Sequence, residues 1–238
     1  MKKIISILMI CSLATSLLVA MDFSFGIGQL YEQSFRNGSW VKGDIYVDED
    51  TTVHVDMYEG FRKTSNGLFL FFDAKYAMLD VSYARAHVSG VWKDAPLVLG
   101  ALPTEDGVWL MGKMDHLTFS LLGKYPIDMG AFSVFPLLGV NYNYILTYED
   151  AFGDDWLEKN ESTHKPADLS QFGILGGLGA DYDLSESFYL RCQALFNLRF
   201  PSSMANDTAD LVEEIPGWSA DNTLGATYRI QLGLGYRF

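Results

Sequence analysis

Four arginines, Arg191, Arg199, Arg229 and Arg237, stand in "FYLRCQALFNLRF" and "TLGATYRIQLGLGYRF", always on the polar side of an apolar/polar alternation. A guanidinium is permanently charged and presents a planar fork of donors that suits carboxylates and amide oxygens. Residues on polar sides of alternating stretches supply such acceptors: Asp80, Asn141, Asp181, Gln193 and Gln231. If these polar sides face a narrow interior, unpaired charges there are costly, so the nine residues are expected to satisfy one another as a polar plug. A ligand or ion path through the same residues is the rival chemistry.

Other chemical combinations carry less. Ser82, Ser89 or Ser120 could pair with His87 or His116 as nucleophile and base, but no short motif marks an activated serine, and the expectation is no enzyme. The histidines, His54, His87, His116 and His164, have no metal-ligand spacing, so neither metal nor cofactor is expected. "GILGGLGADY" lacks the spacing of a phosphate-binding loop and sits inside a strand pattern, where crowding explains its glycines. Asp150, Asp154 and Asp155 lack the spacing and turn of a calcium loop, and a solvated acidic rim accounts for them.

The elements that position the arginines are strands. In the last sixteen residues every second side chain is apolar, from Leu224 to Phe238, with small, polar or cationic residues between. Seven further stretches behave as strands: "DFSFGIGQLY", "GLFLFF", "YAMLDVSYAR", "HLTFSLLGKY", "FSVFPLLGVNYNYIL", "SQFGILGGLGADYD" and "FYLRCQALFNLRF". "GLFLFF" is so continuously apolar that its phase is open. Short joins alternate with long ones at roughly 32–66, 86–114, 148–169 and 201–222, which predicts an up-and-down antiparallel barrel trimmed at one end. "TTVHVDMYEGF" could lengthen a hairpin and raise the count to ten.

A soluble barrel would turn the apolar faces inward and a membrane barrel would turn them to lipid. The second reading is favoured. Several apolar faces carry no charge over about 10 residues, enough for a tilted strand to cross a bilayer. Aromatics such as Phe132, Tyr142, Tyr144, Phe188, Phe200, Tyr236 and Phe238 gather towards strand ends, as girdles do. Polar faces mixing Arg with Gly and Ser suit a narrow lumen. "MKKIISILMICSLATSLLVAM" reads as a cleaved export signal over residues 1–20, leaving 21–238 as the barrel with four long extracellular loops. Cys192 is then the one cysteine of the mature chain, which excludes an internal disulfide. The formal charge of −13 argues against nucleic-acid binding. Residues 148–169 hold seven carboxylates against two lysines, and 201–222 hold five with no Lys or Arg. In the latter, "NDTADLVEEIPGW" predicts a short helix capped near Asp207 or Thr208 and stopped at Pro216.

The terminal "GLGYRF", with Tyr236 and Phe238, resembles the assembly signal of bacterial outer-membrane β-barrel proteins, which implies recognition of the last strand by the barrel assembly machinery. The mature chain resembles the small eight-stranded class of OmpA, OmpX and OmpW barrels. "FFDAKY", "LLGKYPI" and "FPLLGVNYNY" are similar to spirochaetal outer-membrane proteins. The resemblance implies an all-β, closed, antiparallel transmembrane barrel of eight strands in contact with outer-membrane lipid. It implies two uses: a narrow porin-like conduit for small, even hydrophobic, molecules, or a non-conducting structural or adhesive barrel whose acidic loops bind a host surface molecule.

Overall fold

The computed structural model describes residues 23–36, 38–48, 51–93, 107–150, 153–159, 165–222 and 224–238; the export signal expected over residues 1–20 lies outside them. In chain order the strands are β1 (Phe23–Arg36), β2 (Gly38–Asp48), β3 (Thr51–Ala74), β4 (Ala77–Lys93), β5 (Gly107–Lys124), β6 (Ile127–Asp128), β7 (Phe132–Asp150), β8 (Gln171–Asp183), β9 (Phe188–Arg199), β10 (Ser219–Asn222) and β11 (Gly225–Arg237). Every pairing is antiparallel. From β1 the ladder runs through β3, β4, β5, β7, β8, β9 and β11, and β11 pairs β1 from Ser24–Arg237 to Arg36–Ala226. Eight strands therefore close the barrel, with no free edge in its wall.

The long first connection is strand, not loop. β2 pairs the outer part of β3 from Gly38–Gly60 to Asp48–Thr51, and the four-residue β10 pairs β2, so these two strands build above the barrel instead of entering its wall. Trp218 lies flat against Gly43, where a Cβ would come within 2.3 Å of its ring. Among the described residues of the outer connections lie helices α1 (Trp156–Lys159), α2 (Pro166–Leu169) and α3 (Ser203–Glu213). The helix expected before Pro216 is α3, but its cap is Ser202, whose side chain accepts from the Ala205 N–H at 3.3 Å, and not Asp207 or Thr208. Serine at N-cap outcompetes the later candidates because the helical residues begin immediately after it.

The opposite rim is trimmed. Lys75 and Tyr76 alone join β3 to β4, with Lys75 in a left-handed conformation at φ 53°. The phase of "GLFLFF" is settled by the closure: Phe69 and Phe71 point inward, while Leu68, Leu70 and Phe72 point out. All along β11 the apolar set faces out at Tyr228, Ile230, Leu232 and Leu234, and Arg229 and Gln231 face in.

Candidate functional site

The lumen has two levels. At the level nearer the short turns, the end expected to face the periplasm, the inward face of β9 brings Arg191 to the axis, 1% exposed at its side chain. Its Nε donates to Asp181 Oδ1 and its Nη2 to Asp181 Oδ2, both at 2.7 Å, and Nη2 also donates to Asp73 Oδ2 at 2.5 Å. Lys124 donates to the same Asp73 oxygen, which balances two cations with two carboxylates. The guanidinium carbon lies 4.4 Å from the centre of the Phe71 ring and 5.2 Å from those of Phe135 and Tyr189. Met78, Leu122 and Leu137 complete the packing, all at most 3% exposed.

Glycines make room for these rings. A Cβ on Gly26 would come within 2.3 Å of Phe71, one on Gly179 within 2.1 Å of Phe135, and one on Gly235 within 2.2 Å of Tyr189. Each aromatic therefore lies over a glycine of a nearby strand, and the crowding inferred for the glycine-rich stretches has named partners.

At the outer level the hub is Glu32 of β1, fully buried. Arg199 Nη2 donates to Glu32 Oε1 at 2.8 Å, and Arg229 donates to Glu32 Oε2 from Nη2 at 2.9 Å and from Nε at 3.1 Å. Lys63 Nζ and His116 Nε2 stand 3.9 Å from Glu32 Oε1. Arg229 also faces Asp80 at 3.6 Å, and Gln231 Nε2 donates to Asp80 at 2.8 Å. Thr118 donates to Asn143 at 2.9 Å. Asn141 and Asn197 turn towards each other above Gly173, where a Cβ would meet an amide oxygen of each at 2.5 Å.

The nine residues singled out from sequence do not form one network. Arg191 and Asp181 meet at the periplasmic level, with Gln193 Nε2 at 3.4 Å from the Met78 sulfur. Arg199, Arg229, Gln231 and Asp80 meet at the outer level, while Asn141 has no side-chain hydrogen bond among the described residues. Arg237 belongs to neither level. It pairs with Asp183 at 2.6 Å at the periplasmic mouth, over the Tyr189 ring, with its side chain 36% exposed. Apolar side chains share the lumen with the polar network, because Phe69, Phe71, Phe135 and Leu137 turn inward from almost continuously apolar runs.

Sequence reasoning missed Glu32, Lys63 and Asp73 as members of the lumen, and it left Lys124 and His116, both on the polar side of their strand, out of the expected network. Glu32 and Lys63 fell in a stretch read as loop, and Asp73 in a turn. Charge was the available signal, since Glu32 and Lys63 share phase with inward Leu30 and Phe69 on their own strands. The serine–histidine pairs do not form: Ser82, Ser120 and His116 face in, His87 faces out, and no hydrogen bond joins them among the described residues. Asp155 instead accepts from the N–H groups of Leu157 and Glu158 at 2.9 and 3.2 Å. No group of three or more possible metal ligands occurs among the described residues.

The outer wall is apolar. Ile27, Leu70, Leu121, Leu138, Ile174, Leu190, Ile230 and Leu232 are all exposed on it. Rings mark its two ends. Phe25, Phe188, Tyr236 and Phe238 cluster at the periplasmic end with centroids 5.1–6.0 Å apart, and Tyr142 meets Phe172 at 4.6 Å towards the outer end. Such a wall matches hydrocarbon flanked by two interfaces.

No protein-family model and no curated protein matches the chain. Solved structures do. The outer membrane protein OprG from Pseudomonas aeruginosa superposes with a TM-score of 0.50 at 18% identity, covering 92% of this chain and 96% of that one. Neisserial surface protein A gives a TM-score of 0.45 at 9% identity over 91% and 97%, and Ail, the attachment invasion locus protein of Yersinia pestis, 0.39 at 14% over 92% and 100%. Closure by eight strands, a lipid-matched wall and the superposition on OprG make this fold that of a small bacterial outer-membrane β-barrel.

Proposed function

We propose that the protein is a non-conducting surface barrel of the outer membrane, anchored by its wall and acting through the structure it carries outside. The observation that carries this reading is the Arg191 clamp. One guanidinium joins Asp181 of β8 to Asp73 of β3 across the lumen, inside a cage of Phe71, Phe135 and Tyr189. A buried pair with every fork position engaged is expensive to open, which favours a plug over a conduit for ions or small solutes. Among the described residues, none of the serine–histidine pairs weighed from sequence is in contact. Binding then falls to the β2–β3 hairpin, β10 and α3, whose acidic surface favours a basic partner molecule. Phe238 and Tyr236 of the last strand supply the signal read by the assembly machinery.

The experiment is conductance of the refolded mature protein in a planar lipid bilayer, with heat-modifiable gel mobility as the control for folding. Silence is expected from the folded wild type. Reproducible single-channel steps would overturn this reading and favour the conduit.

A further inference from the structure

Below the Tyr31–Tyr228 ring, Gln29 breaks the chemistry of the lipid-facing wall. Gln29 lies on the outward face of β1, exposed, between Ile27 and Tyr31. Its partners in register are Leu232 of β11 and Leu68 of β3, both of which also point out. At about 3.3 Å per residue and the tilt usual for such barrels, Gln29 sits roughly 10 Å above the girdle ring of Phe25. Tyr31 and Tyr228 stand on its outer side, and their hydroxyls both turn to Gln33, away from Gln29. No hydrogen bond reaches the Gln29 amide among the described residues. An amide left in hydrocarbon with no partner is unfavourable, and acyl chains offer none.

A groove of about 540 Å³ opens beside it on the periplasmic side, walled by Ile27, Leu190, Cys192, Leu232 and Leu234. It exists because Cys192 and Ala180 are short where their neighbours are long.

We propose that two copies of this chain associate in the bilayer through β1, with Gln29 at the centre of the contact. The amide carries both donor and acceptor, so it is complementary to itself across a two-fold axis. That axis must run along the membrane normal, because both copies share one orientation. Leu70 and Phe72 pair in register with Ile27 and Phe25 on the side of β1 away from the groove. A two-fold axis at β1 therefore brings Leu70 and Phe72 of the second copy over the groove of the first. Both are exposed, at 47% and 53%. Hydrogen bonding at the axis and ridge-into-groove packing beside it act at one seam, as polar and small residues do between membrane segments.

The test is energy transfer between copies in phospholipid vesicles. A Leu211→Cys chain that keeps Cys192, folded in vesicles where lipid shields that thiol, is labelled on α3 with water-soluble donor or acceptor, and transfer is followed as lipid is added. Transfer above the random level is expected, falling on dilution with a measurable dissociation constant. Gln29→Leu should weaken association roughly threefold to twentyfold, the range for one interhelical hydrogen bond in a bilayer. Phe72→Ala should weaken it through the groove, and carries the test should the leucine variant not fold. Random transfer in the parent at every lipid ratio overturns the proposal, as does association unchanged in both folded variants.

Discussion

Arg191 and Asp181 meet through two parallel 2.7 Å hydrogen bonds, with the remaining reach of the guanidinium spent on Asp73 and the Met78 sulfur at 3.2 Å. They are direct partners in the β8–β9 register, so backbone pairing alone places the fork opposite the carboxylate. Asp73 comes from the far side of the wall, at the end of β3. The pair is thus a local consequence of register, and the third member makes it a cross-brace of the barrel.

Removing the brace should be costly. Arg191→Leu leaves Asp73 and Asp181 buried, with Lys124 as the cation next to them, and a loss of about 3–5 kcal/mol is expected. Arg191→Lys keeps charge but cannot reproduce the fork, so it should fall between the two. Urea unfolding midpoints in detergent micelles decide this; equal stability of Arg191→Leu and wild type would remove the brace from the account.

The glycine sockets make a second-site prediction. Gly179→Val drives a Cβ to 2.1 Å from Phe135, and overpacking of this kind costs about 1–3 kcal/mol. Phe135→Leu in the same chain should recover part of that loss, although Phe135→Leu alone is destabilising. Opposite signs for one substitution in two backgrounds are the readout, in a double-mutant cycle on unfolding free energy.

On the outer rim, above the lipid band, Arg85 grips Asp115 across the β4–β5 register at 2.7 and 2.6 Å. Hydrogen bonds from Arg85 hold the Asp115 carboxyl below its ordinary range; partial burial opposes them, and the Arg85 charge and hydrogen bonds from Tyr83 and Thr147 assist. The folded carboxyl thus holds its proton less tightly than the unfolded one. Its contribution is present above about pH 4, the ordinary value, and fades as the pH falls through the lower folded one. Carbon-detected NMR titration should find Asp115 below the ordinary aspartate range, and Arg85→Gln should raise it. An Asp115 that titrates in the ordinary range would dismiss the pair as a packing coincidence.

Period-two alternation was legible wherever one face was consistently apolar, and there the strands and their lipid-facing side follow from sequence. It was silent in two places. Phe69 and Phe71 alternate with Leu68, Leu70 and Phe72, so both faces are apolar and only closure through Asp80 and Asp73 fixes which turns in. Glu32 and Lys63 lie where polar residues on the outward face, Gln33 beside the one and Arg62 and Thr64 beside the other, interrupt the apolar period. Arg199 and Arg229 could be read as buried cations in need of a carboxylate, yet their acceptor sat in an apparent loop. Pairing across the closing seam is a property of three-dimensional register, and a single strand's pattern carries no trace of it.

Cys192 offers a test of the wall that needs no new side chain. It points outward beside Leu232, its register partner on β11, and is exposed in the protein alone. Lipid should cover it, because its strand neighbours on that face, Leu190 and Ala194, belong to the same band. Water-soluble maleimide should therefore leave Cys192 unmodified in folded vesicles and modify it once the barrel is unfolded in urea. A His54→Cys substitution on the exposed hairpin, in a Cys192→Ser chain, should label at once under the same conditions. Ready labelling of Cys192 in intact vesicles would mean that this face meets water. The phase of β9, and with it the inward direction of Arg191, would then have to be reversed.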